Sequence, residues 1–150
     1  MGIENDINQA KFRNDYQKAI INFIYTFNWM NEKMKSILER EDITPQQFNI
    51  LRILRGAGKP ISTMQIRQRM LDKMSDTSRI VDRLLIKGLA KKNICSKDKR
   101  LVDVSITDKG KKLLDKTDKY DHEMDAILNN LSGPETKSLN KLLDKIRSGK

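Results

Sequence analysis

The stretch that decides the fold is SDTSRIVDRLLIKG, residues 75–88. Four apolar residues recur at the spacing of one helical face: Ile80, Val81, Leu84 and Leu85. The opposite face carries an acid and three cations, three and four residues apart: Asp76, Arg79, Arg83 and Lys87. Gly88 then stands where a left-handed residue commonly ends a helix. The sequence therefore predicts a short amphipathic helix with one cationic stripe.

A second short helix precedes this one. Ser62 and Gln65 have the spacing of a capping box, which predicts a helix from there to about Met70. Upstream, residues 44–47 (TPQQ) give the same start signal, and the glycines and proline of residues 56–60 end that helix. Two short helices joined by a turn and ending in the cationic helix predict a helix-turn-helix.

After Gly88 the periodicity changes from that of a helix to that of a strand. Val102, Val104 and Ile106 alternate with polar residues, as in a half-buried strand, and residues 89–95 are the expected partner strand. The predicted fold class is mainly α with a small β-hairpin, a winged helix-turn-helix.

Long helices flank this central region. From residue 16 to 37 the apolar side chains follow strict heptad spacing: Tyr16, Ile20, Phe23, Phe27, Met30, Met34 and Ile37. Further apolar residues lie off that seam, so the helix needs cover on two sides, and a second subunit is one candidate cover. A second long helix is predicted from Thr107 to about Asn130, and a final helix follows Ser132.

The positive charge is concentrated in the centre of the chain. The 150 residues carry a net charge of +10, and residues 44–110 hold 15 Lys or Arg against 6 Asp or Glu. Such a basic chain favours a polyanionic partner, of which nucleic acid is the commonest. One Cys, one His and no Gly-rich phosphate loop leave an enzyme few residues to work with, so we expect no enzyme, cofactor or metal.

The remaining signals bear on location and on two single residues. The polar N-terminus does not fit a secretory signal and no membrane partner is expected, so we predict a cytoplasmic protein. Cys95 is expected to be a small packed residue rather than a redox switch. His122 is expected to be solvated rather than a metal ligand.

With these elements placed, the chain resembles the MarR family of bacterial winged helix-turn-helix transcription regulators. The wing signature of that family is matched with one Leu-to-Ile change by six residues: Asp98, Arg100, Val104, Ile106, Thr107 and Gly110. Residues 80–89 resemble its recognition helix and glycine turn, and residues 44–48 the start of its second helix. The resemblance implies one domain over residues 1–150, with a DNA-binding lobe at 44–110 and a helical dimerisation region at 1–43 and 111–150.

The cationic helix supplies the first candidate site residues. The N-terminal residues of a helix in the major groove face base edges, and here they are Ser75, Asp76, Thr77, Ser78 and Arg79. Either Ser75 or Asp76 is expected to be the N-cap as well. Arg79 is the best candidate to read a guanine, with a phosphate contact as the alternative, and Arg83 continues its stripe.

The preceding helix and the wing supply the rest. Ser62, Thr63 and Gln65 open a helix whose exposed amides suit a phosphate. The wing loop brings Lys97, Lys99 and Arg100, of which Arg100 suits a narrow minor groove, although charged hairpin tips are often only solvated. The resemblance implies that Asp98 is a structural partner for Arg83 or Arg100.

The predicted function is that of a homodimeric, sequence-specific transcription regulator that binds a pseudo-palindromic operator in double-stranded DNA, and the resemblance implies a repressor. The family also implies a small-molecule effector, for which the candidate pocket residues are Tyr16, Phe23, Phe27, Trp29 and Met30. Aromatic residues at heptad spacing are alternatively plain core. The alternative function is an architectural or protein-interaction winged-helix module that does not read sequence.

Overall fold

Helices make up most of the computed structural model, which describes residues 2–94 and 102–149. The helices in the described ranges are α1 Ile3–Asp6, α2 Asp15–Leu38, α3 Pro45–Ala57, α4 Thr63–Arg69, α5 Thr77–Ile86, α6 Asp108–Asp118, α7 Asp121–Asp125 and α8 Gly133–Arg147. The strands are β1 Ile61–Ser62, β2 Ala90–Ile94 and β3 Val102–Ile106, and short 3-10 turns lie at Glu39–Glu41 and Ala126–Leu128. None of the helices in these ranges is both long and apolar enough to span a bilayer.

The hydrophobic core lies between α3, α4, α5, the sheet and α6. Its side chains with no exposed surface include Leu51, Ile66, Leu84, Val104 and Leu114. Fully burying each such side chain contributes roughly 1.5–3 kcal/mol. The arrangement confirms the predicted winged helix-turn-helix, with α4 and α5 as its two helices and β2 and β3 as the wing strands.

The sheet has one strand more than the predicted hairpin. β1 pairs antiparallel with β3, so the strand order is β1-β3-β2, with Ile61 opposite Val104. β1 is two residues long and its Ser62 is also the N-cap of α4. A strand this short shows no alternation of apolar and polar residues, so periodicity alone could not reveal it.

Two glycines join the wing to the helices around it. Gly88 has a φ of +72° and ends α5, as the sequence predicted, and the N–H of Leu89 donates to the carbonyl of Leu84 at 3.0 Å. A Cβ on Gly110 would lie 2.3 Å from the carbonyl oxygen of Leu89. The first turn of α6 therefore approaches the start of the wing so closely that only glycine fits at position 110.

The predicted continuous helix from Thr107 to Asn130 is wrong, because the chain bends between α6 and α7. No proline or glycine lies at the bend. Instead, the Tyr120 hydroxyl donates to Glu41 Oε1 at 3.0 Å, and Arg40 pairs with Glu123 through two bonds of 2.7 and 2.8 Å. These partners are distant in sequence, so tertiary contacts override a helical pattern that is locally unbroken.

The long helices bury little of their surface within one chain. Only Ile37 and Leu38, at the end of α2, are buried, and α8 has no buried residue. Short α1, which the sequence did not predict, lies against α2 through an ion pair between Glu4 and Lys18. The apolar seam of α2 is therefore largely open to solvent.

Candidate nucleic-acid interface

Asp76, rather than Ser75, is the N-cap of the cationic helix α5. Its Oδ1 accepts a hydrogen bond from the N–H of Arg79 at 3.2 Å. Ser75 belongs to the preceding turn, where its hydroxyl donates to the carbonyl of Asp72 at 2.6 Å. The cap fixes the start of α5, so Ser78 and Arg79 project from its exposed first turn.

Thr77 corrects the predicted set of DNA-binding residues. Its side chain is completely buried, and its hydroxyl has no hydrogen-bond partner among the described residues. It lies on the inner face of α5 with Val81 and Leu84, at spacings of four and three residues. That spacing was visible in the sequence, but the polar character of Thr77 suggested the wrong face.

The cationic stripe of α5 divides into two parts. Arg79 and Arg83 are exposed and form no ion pair with any other described residue. Lys87 instead turns back toward the loop before α3, where its Nζ contacts the carbonyl oxygen of Asp42 and lies 3.7 Å from the Asp42 carboxylate. The first two cations of the stripe are thus presented outward, and the third stabilises the lobe.

The helix before α5 begins at the predicted capping box. Ser62 Oγ accepts from the N–H of Gln65 at 3.1 Å, and Gln65 Oε1 accepts from the N–H of Ser62 at 2.9 Å. Ser62 and Thr63 are half-buried and Gln65 is exposed. Met64, which the sequence did not suggest as a site residue, is 71% exposed between them.

The wing tip lies outside the described residues. This applies to the predicted contacts Lys97, Lys99 and Arg100, to Asp98, and to Cys95. The wing strands themselves lie against α5, since Lys92 of β2 lies 3.7 Å from the carboxylate of Asp82 in that helix. The structure therefore places the base of the wing beside α5.

The predicted effector pocket is only partly assembled in one chain. Trp29 lines a cavity of about 480 Å³ between α2 and α7, with Lys33, Ile37 and Ile127 among its neighbours. Four of the predicted pocket residues do not line this cavity: Tyr16, Phe23, Phe27 and Met30. The first three are exposed along α2 and Met30 is half-buried.

Charged pairs join the winged region to the C-terminal helices. Arg55 of α3 donates to both carboxylate oxygens of Asp118 in α6, at 2.9 and 3.1 Å, and this guanidinium lowers the pKa of Asp118. Arg40 likewise lowers the pKa of Glu123 through its hydrogen bonds. The hydrogen bond to Glu41 raises the pKa of Tyr120. In the described part of the chain, no group of three His, Cys, Asp or Glu side chains could hold a metal ion, and His122 is exposed.

Comparison with known proteins identifies similar chains. A family model described as MarR family matches residues 41–101. The HTH-type transcriptional repressor MdtR of Bacillus subtilis (strain 168) is 32% identical over 84 residues, which are 56% of this chain and 54% of MdtR. The chain therefore matches about half the length of this relative.

Solved structures show the same fold. A mutant of MarR from E. coli, complexed with operator DNA, has a TM-score of 0.82 at 22% identity, over 92% of this chain and 99% of that one. BpsR of Bordetella bronchiseptica, whose DNA binding is regulated by 6-hydroxynicotinic acid, has a TM-score of 0.74 at 18% identity, over 83% and 94% of the two chains.

Proposed function

Because this chain belongs to the MarR family of winged-helix transcription regulators, we propose that it is a homodimeric, sequence-specific repressor that binds a pseudo-palindromic operator in double-stranded DNA. The observation that carries the proposal is the exposed first turn of α5, capped by Asp76, with Arg79 and Arg83 presented outward. The same proposal places the protein in the cytoplasm, where the DNA is.

Base reading is assigned to the first turn of α5. A B-DNA major groove admits one helix, and its N-terminal side chains then meet base edges. Arg79 suits guanine, because a guanidinium can donate to O6 and N7 together, and exposed Ser78 stands beside it. We assign the remaining contacts to the phosphates and the minor groove, through Arg83, Ser62, Thr63, Gln65, Lys97, Lys99 and Arg100.

Dimerisation is assigned to α2 and α8. Their apolar side chains are exposed in one chain, including Ile20 and Phe27 of α2 and Leu142 and Ile146 of α8. Covering these side chains with a second copy removes apolar surface from water, which favours association. Two-fold symmetry then sets the half-sites about 10 base pairs apart, one turn of the duplex.

The direct test uses the DNA upstream of the chain's own coding region. The wild-type protein is expected to protect a near-palindromic site there and to prefer it to random DNA. Arg79→Lys keeps the positive charge but removes the guanidinium that can donate two hydrogen bonds to one guanine. Operator affinity should therefore fall about 5- to 100-fold, while affinity for random DNA changes little.

Arg13→Lys is the matched control, since Arg13 is exposed, lies before α2 and makes no ion pair with another described residue. It should leave both affinities unchanged. If Arg79→Lys instead weakens operator and random DNA equally, Arg79 contacts phosphate, and the alternative of an architectural module gains support.

A small-molecule effector is part of the proposal, because BpsR of the same fold is regulated by a small aromatic acid. The cavity beside Trp29 is the candidate site, and Trp29 is the single tryptophan of the chain, so its fluorescence should be sensitive to a ligand bound there. A titration with 6-hydroxynicotinic acid and related aromatic acids is expected to change this fluorescence and to weaken operator binding. If Trp29 responds and operator affinity does not, the cavity has no regulatory role.

A further inference from the structure

A cavity of about 380 Å³ lies at the base of the wing. All the charged residues that line it are cationic. Its charged lining comes from the end of α3, the loop before β1, β2 and the first turn of α6: Arg55, Lys59, Lys91 and Lys111. By contrast, the cavity beside Trp29 is lined by an acid, Glu123, as well as by Lys33. The cavity beside Lys35 and the end of α5 is likewise lined by two acids, Glu39 and Asp42. A concentration of positive charge without an acid in the lining favours an anion.

Three of these four cations are available to an external ligand. Arg55 is already held by the bidentate pair with Asp118. Lys59, Lys91 and Lys111 make no ion pair with other residues in the described ranges. The charge that remains in the cavity is therefore about that of three ammonium groups.

Neutral donors in the same cavity complete the arrangement. Asn93 Nδ2 donates to Ser105 Oγ at 3.0 Å, and both side chains line the cavity. Because Ser105 Oγ accepts this bond, its own hydroxyl hydrogen is free to donate to a ligand. The acid on this face of the sheet is Asp103, which is opposite Asn93 in the ladder but does not line the cavity.

The position of the cavity separates it from the proposed DNA-reading surface. Lys91 and Ser105 pair at the end of the wing strands that adjoins α5 and α6, whereas residues 95–101 connect the opposite ends. At about 3.3 Å per residue, Lys91 and Ile94 are roughly 10 Å apart along β2. A ligand here would contact the strands, α3 and α6, but not the first turn of α5.

We propose that this cavity binds a small phosphorylated metabolite through its phosphoryl group. A phosphoryl group carries a charge of about −1.5 to −2 and three strong acceptor oxygens. Lysines bind such a group as point charges, and the Ser105 hydroxyl adds a neutral donor. The site is distinct from the cavity beside Trp29 and goes beyond the proposed repressor function.

The test is a titration of the full chain with inorganic phosphate, without DNA and at constant ionic strength, followed by backbone amide NMR. Saturable shifts are expected at Lys91, Ser105 and Lys111. Lys111→Gln should weaken phosphate binding about three- to tenfold, by loss of one charge-assisted contact.

Lys112→Gln is the matched control, since Lys112 is the next residue of α6, is exposed and does not line the cavity. It should change phosphate affinity less than about twofold, as expected for a surface charge outside the site. Thermal unfolding of both variants checks that the fold is intact. If both variants weaken binding equally, or the shifts grow without saturation, the cations act only as a diffuse charged surface and the proposal is wrong.

A contact with the DNA backbone is the rival outcome. In that case free phosphate would not saturate the cavity. Lys111→Gln would instead weaken binding to all DNA sequences, and the slope of log affinity against log salt concentration would fall in magnitude by about one. That combination overturns the metabolite site. Because the phosphate titration contains no DNA, failure of the repressor proposal would leave its result unchanged.

Discussion

The winged lobe and the flanking arms bury their apolar residues in opposite ways. Within the lobe, which we define as α3 to β3, the inward side chains pack against each other, and Leu38 at the end of α2 and Leu114 of α6 complete the same core cluster. Along the arms, α2 and α8, large apolar side chains face solvent, with Tyr16 82% and Phe27 64% exposed. Most of the core therefore lies in the lobe, whereas the arms leave most of their large apolar side chains exposed in a single chain.

The two regions also differ in charge. Residues 44–110 hold 15 of the 30 Lys and Arg but only 6 of the 20 Asp and Glu. The arms combine near-neutral charge with apolar surface, which suits protein association. The lobe combines a hydrophobic core with a cationic surface, which favours binding of a polyanion. This difference supports the proposed division, in which the lobe folds around the core and binds DNA and the arms form the dimer.

The largest expected effect is a loss of stability when a cavity is created in the hydrophobic core of the lobe. Leu51→Ala removes a side chain that is fully buried in α3, so the free energy of unfolding should fall by about 3 to 5 kcal/mol. Urea denaturation at fixed protein concentration measures it. Leu71→Ala is the matched control, since Leu71 is 87% exposed and its loss should cost less than about 0.5 kcal/mol. Equal losses would mean that the core is not where the structure places it.

The next effect concerns the arms. Ile20→Glu combined with Phe27→Glu introduces two carboxylates into the exposed seam of α2, one heptad apart. Burying them in a dimer interface is costly, so the dimer dissociation constant should rise at least about 100-fold. Sedimentation velocity measures the change, and far-UV circular dichroism should show the helices intact.

Ile20→Leu combined with Phe27→Leu is the control for this pair, because it keeps the seam apolar and should remain dimeric. If the glutamate variant is still a dimer at the same concentration, α2 is not the interface. The exposed arms would then need a different partner.

Local signals allowed much of the fold to be predicted from the sequence. The starts of α3, α4 and α8 follow from capping boxes whose bonds span three residues, and all three boxes are formed. The bend at Tyr120 could not be predicted in this way, because the partners that stabilise it, Arg40 and Glu41, lie about 80 residues away in the chain. The two-residue strand β1 depends likewise on pairing with a distant strand.

The candidate site was predictable to a similar degree. The cationic stripe followed from helical spacing, and the structure presents Arg79 and Arg83 outward as expected. Residue type alone could not show that Lys87 folds back onto Asp42, or that the cations at the wing base converge on one cavity. These features depend on which elements pack together, which the sequence pattern does not contain.

A smaller effect is expected at Thr77, on the buried side of α5. Its hydroxyl is buried and has no hydrogen-bond partner in residues 2–94 and 102–149, so Thr77→Val keeps the shape and removes an unsatisfied polar group. The free energy of unfolding should rise by about 1 kcal/mol, measured by urea denaturation. Operator affinity should stay within about twofold, because the side chain does not reach the surface. A loss of operator binding with unchanged stability would restore Thr77 to the DNA-contacting set.

The smallest effect lies at the junction between the lobe and α6, in the pair of Arg55 with Asp118. Both side chains are about one-third or more exposed, so solvent screens the pair, and Asp118→Asn should cost only about 0.5 kcal/mol at pH 7. Arg55 lowers the pKa of Asp118 below its ordinary value of 3.8, so the folded state binds this proton more weakly than the unfolded state. The stabilisation is therefore complete at pH values well above 3.8 and is lost as the pH falls through the lowered pKa. Urea denaturation at a series of pH values should show the variant and the wild type converging in acid. A difference that persists or grows in acid would mean that Asp118 stabilises the junction by packing rather than by its charge.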